Sequence, residues 1–169
     1  MDTLLTTLIN RLESLPDNPS VEGLRHVILK TKALEIPLDE YVRFSDKGYA
    51  RYNVYGSRRC EITVLCLKKG QVTPIHDHGG AIGATVIRGG SMTEEIFNRQ
   101  SGGLIVPIST RKAAIAEITT VDVSTIHRVS NVNREGLITI NIYFPPLTMM
   151  NIYNLENTRV EKWENFSQK

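Results

Sequence analysis

The chain predicts a mainly β fold, a small antiparallel barrel or jelly roll with a helical cap at its N-terminal end. Three observations carry that expectation. Apolar residues recur at spacings of three and four through the first third of the chain, the signature of amphipathic helices. After about residue 48, short runs rich in Val, Ile, Thr and Tyr alternate with Gly-rich or polar breaks. The length of 169 residues, with 41% hydrophobic and 22% charged residues, fits one ordinary globular domain whose core needs no disulfide or metal to hold it.

Taken in order, Leu4, Leu5, Leu8, Ile9, Leu12 and Leu15 form one apolar stripe, with Asp2 or Thr3 as its cap and Pro16 and Pro19 as its stop. Ser20 reads as the N-cap of a second helix with Val21, Leu24, Val27 and Ile28 on its apolar face. A short third helix is expected from Pro37 to Val42, with proline in its first turn. Strands are expected at 51–55, 60–68, 84–88, 91–98, 113–119, 127–129 and 137–144, with a loop at 98–103 and a stop at Pro145-Pro146. This divides a single domain into a helical cap over 1–45, a β-barrel over 46–150 and a C-terminal tail over 151–169.

The net charge of +2 and the mere pairs Arg58-Arg59 and Lys68-Lys69 do not favour nucleic acid as a partner. Cys60 and Cys66 share a strand face six positions apart, too far for a bridge, and are expected to be reduced. The opening Met1-Asp2-Thr3-Leu4-Leu5 lacks the basic and continuously apolar regions of a signal peptide, and no stretch approaches membrane-span length. The expectation is a cytoplasmic protein without a membrane partner. Oligomeric state is left open.

Three of the four histidines fall in two short motifs. The first runs from Gly70 through His76-Asp77-His78 to Gly83 and Gly90; the second is His127 to Asn131. Two histidines two apart on a strand point the same way, and His127 must then come from a neighbouring strand. Three neutral imidazoles can occupy one face of an octahedral ion and leave the other face free, as catalysis requires. Imidazole suits Fe, Ni, Mn and Zn, so the spacing does not choose among them. His26 sits alone in the second helix and is assigned no role, and Asp77 is expected to point away from the ion.

The spacing of the first motif resembles the first cupin motif, and His127 with Asn131 resembles the second, although Asp122-Val123-Ser124 stands where cupins often show Pro-x-Gly. The cupin glutamate ligand is replaced by Gly83, which points to the thiol dioxygenase branch. Tyr49-Ala50-Arg51 resembles the Tyr-x-Arg of cysteine dioxygenases, and Ile138 to Pro146 resembles their Ser-x-His-x-Tyr-Ser-Pro-Pro strand. The resemblance implies a cupin-type barrel, Fe(2+) held by His76, His78 and His127, and oxidation of a small-molecule thiol by O2, with cysteine sulfinate as the expected product. It further implies that Arg51 grips the substrate carboxylate with Tyr49 in support, and that Tyr143 is the catalytic hydrogen-bond donor.

Asn141 and Thr139 stand as supporting residues where the family has His and Ser, and the animal members' cross-linking cysteine falls at Gly83. No cysteine–tyrosine cross-link is therefore possible at that position. Alternation along the strand places Thr139, Asn141 and Tyr143 on one face and Ile138, Ile140, Ile142 and Phe144 on the other. The rival expectations are a dioxygenase of another thiol acid such as 3-mercaptopropionate, and a non-catalytic metal-binding cupin module. Isomerases and dicarboxylate-processing cupins usually keep the glutamate, so Gly83 disfavours them.

Overall fold

A computed structural model describes residues 3–164. Two helices, α1 (Thr3–Glu13) and α2 (Val21–Lys30), precede eleven strands. α1 buries Leu5, Leu8, Ile9 and Leu12, the predicted stripe, while Asp2 lies outside the described residues. The Ser20 side chain accepts a hydrogen bond from Gly23 N at 3.0 Å, so the predicted N-cap of α2 is formed. The third helix shrinks to a single 3-10 turn, Asp39–Tyr41, preceded by another at Ala33–Glu35. Pro37 and the short run behind it leave no room for a nucleus that could propagate.

The strands are β1 (Ala50–Gly56), β2 (Glu61–Leu67), β3 (Ile75–His76), β4 (Ile82–Gly89), β5 (Met92–Arg99), β6 (Ile105–Ala113), β7 (Ile118–Val121), β8 (Ile126–Ser130), β9 (Leu137–Phe144), β10 (Met149–Tyr153) and β11 (Glu161–Glu164). They form two antiparallel sheets, ordered β1-β2-β9-β4-β7 and β11-β10-β3-β8-β5-β6. This is the mainly β architecture with a helical cap that the sequence predicts.

Two expectations fail locally. The strand expected at 113–119 is instead the end of β6, a turn carrying Ala116 at φ 74°, and the start of β7. β6 escapes the sequence pattern because it is a largely exposed edge strand interrupted by Pro107, which lies beside a register shift opposite Ile96 and Phe97. The segment expected as a tail from residue 151 is strand as well: β10 pairs with β3 and carries β11 on its outer side, while 165–169 lie outside the described residues.

The larger apolar core lies between the helices and the outer face of the first sheet. Leu8, Leu12, Leu24 and Ile28 meet Ile62, Val64, Cys66, Ile140, Ile142 and Phe144 there. Cys60 and Cys66 are free and buried in that layer, and burial pushes the Cys60 thiol up to about 12. The opposite face of the same strands carries Glu61, Thr63, Thr139, Asn141 and Tyr143, all buried, and looks into the space between the sheets. Among the described residues no helix is long and apolar enough to cross a membrane.

Candidate metal centre

Antiparallel pairing of β3 with β8 sets His76 directly opposite His127. His78 follows β3 in a loop rather than on the strand itself. Gly79, at φ 58°, lets this loop pass under β10, where a β-carbon would lie 2.4 Å from the Met149 carbonyl oxygen. The two motifs are tied together by Gly70 N donating to Asn131 O at 2.7 Å. The Asn131 side chain donates to Leu67 O and Glu135 O, which makes it an anchor of the loop and not a ligand.

The three imidazoles are buried, with ring centroids 5.0, 4.8 and 4.8 Å apart. Their ligand nitrogens fall within 4.8 Å of one another and make up the one such His/Cys/Asp/Glu group among the described residues. Burial, reinforced by the neighbouring His127, lowers His76 to about 4 and drives His78 well down, so both are neutral at pH 7 and available as ligands. His76 Nδ1 donates to Pro74 O at 2.9 Å, and His127 Nδ1 donates to Glu94 Oε1 at 2.5 Å. Both rings therefore turn Nε2 inward.

His127 Nε2 and His78 Nε2 are 3.3 Å apart, and the buried His78 Nδ1 has no partner. Either tautomer of His78 leaves a conflict: two facing lone pairs, or a bare buried nitrogen. A cation at the common centre resolves the first, so the donor set fits a metal ion. No acidic side chain joins the three nitrogens.

A small cavity of about 40 Å³ adjoins the histidines. Tyr49, Arg51, His76, His127, Thr139, Asn141, Tyr143 and Met150 are among its walls. Tyr49, Arg51, Pro74 and Met150 also border an outer recess of about 580 Å³ under β10 and β11. Arg51 does not stand alone: its Nη2 donates to Glu61 Oε1 at 2.7 Å, and Glu61 is wholly buried. Leu147 N donates to the same oxygen at 3.2 Å. Tyr143 packs against His78 with ring centroids 5.3 Å apart, and burial above all pushes its hydroxyl well above the usual range, keeping it a donor. Burial likewise raises Tyr49, against the opposing pull of Arg51.

Residues 20–156 match the family described as cysteine dioxygenase type I. The chain belongs to that family. Among solved structures it resembles TT1209 from Thermus thermophilus (16% identity over 64% of this chain and 94% of that one, TM-score 0.55). It also resembles a conserved protein with a double-stranded β-helix domain from Klebsiella pneumoniae subsp. pneumoniae MGH 78578 (19% identity, 69% and 93%, TM-score 0.55). KdgF from Halomonas sp. gives 14% identity, 64% and 90% coverage, and a TM-score of 0.50. At these identities the likeness shows the fold, which is the cupin double-stranded β-helix.

Against the cysteine dioxygenase pattern, Gly83 has a steric reason of its own. It pairs with Tyr143 across β4 and β9, and a β-carbon there would lie 3.0 Å from Tyr143 Cδ1 and Cε1 and 2.9 Å from Val121 Cγ2. A side chain at position 83 would thus collide with the Tyr143 ring. We expect Gly83→Ala to cost about 1–3 kcal/mol through overpacking and to lower turnover by displacing Tyr143. Thermal unfolding and kcat at equal metal occupancy check this; wild-type values for both would show that the ring gives way freely.

Asn141 departs further from the family's histidine. Its Oδ1 accepts from Thr85 Oγ1 and its Nδ2 donates to Thr139 Oγ1, each at 2.9 Å, so it is held by two threonines. Asp77, between two of the histidines, accepts from Gly79 N, Asn151 N, Asn151 Nδ2 and Tyr153 OH and fastens the loop to β10. Sequence reading missed Glu61 and Glu94. The available signal was parity: Glu61 shares a face with Thr63 and Leu65, and Glu94 with the buried Met92.

Proposed function

We propose that the protein is a non-haem iron thiol dioxygenase that converts cysteine and O2 to cysteine sulfinate. The observation that carries this reading is the set of three buried imidazoles with no acidic group among the gathered ligand atoms, beside a cavity walled by His76, His127, Arg51, Tyr49 and Tyr143. Membership of the cysteine dioxygenase type I family supports the reaction class.

His76, His78 and His127 would hold ferrous iron, which when bound would supply ionisation of the thiol and redox coupling between sulfur and O2. The chain's own residues then hold and orient. Arg51, kept in place by Glu61, presents its remaining N–H groups to the substrate carboxylate, with the Tyr49 hydroxyl beside it. Tyr143 offers a proton donor to oxygen or to that carboxylate, and the clamped Asn141 and Thr139 fix the wall behind it. Holding the thiol by its carboxylate removes much of the entropy cost of meeting O2. In the balanced reaction the S–H and O–O bonds break and both oxygen atoms end on sulfur. Sulfur loses four electrons, O2 gains four, and the proton leaves to water. We place this activity in the cytoplasm, a reading supported by the two free buried cysteines.

Anaerobic loading with Fe(II), followed by cysteine and air-saturated buffer, is expected to consume one O2 per sulfinate formed. Cysteine is expected to exceed 3-mercaptopropionate in kcat/KM, because the similar enzymes that take the simpler thiol acid often carry Gln at the place of Arg51. The reverse order would make the protein a dioxygenase of the simpler thiol acid. No oxygen uptake with either thiol would reject the enzyme and leave a metal-binding module.

A further inference from the structure

Each imidazole of the centre is supported differently. His76 leans on a backbone carbonyl, His78 Nδ1 has no partner, and His127 alone is held by a carboxylate. That carboxylate, Glu94 on β5, is 1% exposed and bonded on both oxygens: Oε1 accepts from His127 Nδ1 at 2.5 Å and Oε2 from Arg111 Nε. Arg111, on the edge strand β6, is fixed in turn by its Nη2 donating to Thr120 O at 3.1 Å. Cross-strand pairing sets Glu94 opposite Arg111 on one side and Val129 on the other, two residues along β5 from the Ile96–His127 pair. Two charge-assisted contacts, from His127 and from Arg111, thus meet a carboxylate that is out of reach of water.

We propose that Glu94 is a positioning residue of the metal centre. It fixes the His127 tautomer, aims Nε2 at the ion, and lends the centre a negative charge that no direct ligand supplies. A carboxylate behind a ligating imidazole raises the basicity of that ligand. Arg111 keeps the carboxylate in register and offsets part of its charge. The centre is then lopsided, with His127 the strongest donor of the three. This rests on the three-histidine metal site proposed above and not on the identity of the thiol.

The test uses the full-length protein loaded with Fe(II) alone, without thiol. Glu94→Ala is expected to weaken Fe(II) binding 10- to 100-fold in competition with a chelator. Glu94→Gln keeps the shape and an acceptor for His127 but removes the charge, so it is expected to raise the Fe(III)/Fe(II) midpoint potential by destabilising the ferric form. A space-filling role would leave that potential where it is. The glutamine variant decides: an upward shift, or loss of iron with an intact far-UV spectrum, supports the proposal. An unchanged or lowered potential, or a variant that does not fold, overturns it. Wild-type protein that takes up no Fe(II) overturns both this and the metal centre. Normal iron binding without thiol oxidation overturns only the proposed reaction.

Discussion

Single replacement of His76, His78 or His127 by alanine is expected to strip the iron and lower kcat by roughly three orders of magnitude or more, a loss of about 4 kcal/mol or more in transition-state stabilisation. Each ring is buried and no acidic group is among the gathered ligand atoms of the described residues, so two imidazoles and water would remain. The fold should survive. The helix-backed core of Leu8, Leu12, Leu24, Ile62, Val64, Ile140 and Ile142 includes none of the three rings. For the same reason, chelating the wild-type protein should leave its far-UV spectrum unchanged. Metal analysis of the three variants beside circular dichroism checks both halves. Stoichiometric iron in all three would show that the ligands are misassigned.

Arg51→Ala is expected to weaken the enzyme in a different way, raising KM for cysteine while iron is retained. Truncating one partner of a buried charged pair costs about 2–5 kcal/mol, or roughly 30- to 5,000-fold in kcat/KM. The effect should lie toward the upper end, because the change does more than remove a grip on the carboxylate. It leaves Glu61, wholly buried and close to the cavity wall, without its guanidinium. An incoming carboxylate then meets a negative field in place of a positive one. Glu61→Gln separates the two causes: it keeps the Arg51 charge and an acceptor for its Nη2 but removes the buried negative charge, so KM should stay well below that of Arg51→Ala. An unchanged KM in Arg51→Ala would remove this residue from the site.

The sequence revealed the centre because three histidines fall in two short motifs; strand geometry holds for His76 and His127, whereas His78 reaches the centre from the loop after β3. Period two put Tyr143 and Asn141 on the face of β9 opposite Ile140 and Ile142, the structure turns that face toward the cavity, and the need for a neighbouring strand was met by the His76–His127 pair. The outer face of β9 was legible for the same reason, since Ile140, Ile142 and Phe144 alternate with polar residues. Glu94 and Glu61 were not legible as buried. An acid beside another acid, or at the start of a strand, reads as solvated surface unless its partner across the sheet is known. Arg111 is 17 residues from Glu94 and Arg51 is 10 from Glu61, so only the pairing of strands identifies the partners. β6 was hidden by Pro107 and its exposure. β10 and β11 were hidden because they present no apolar alternation, all of β10 being half-buried.

The split between the two faces of β9 has a practical consequence for altering this protein. Residues 138, 140, 142 and 144 answer to the helices, whereas 139, 141 and 143 answer to whatever occupies the barrel. A combinatorial library confined to the odd-numbered positions explores new chemistry while the helix-backed layer stays untouched, and one confined to the even-numbered positions tunes thermal tolerance at constant specificity. Selection can therefore act on the two properties one at a time along a single eight-residue segment.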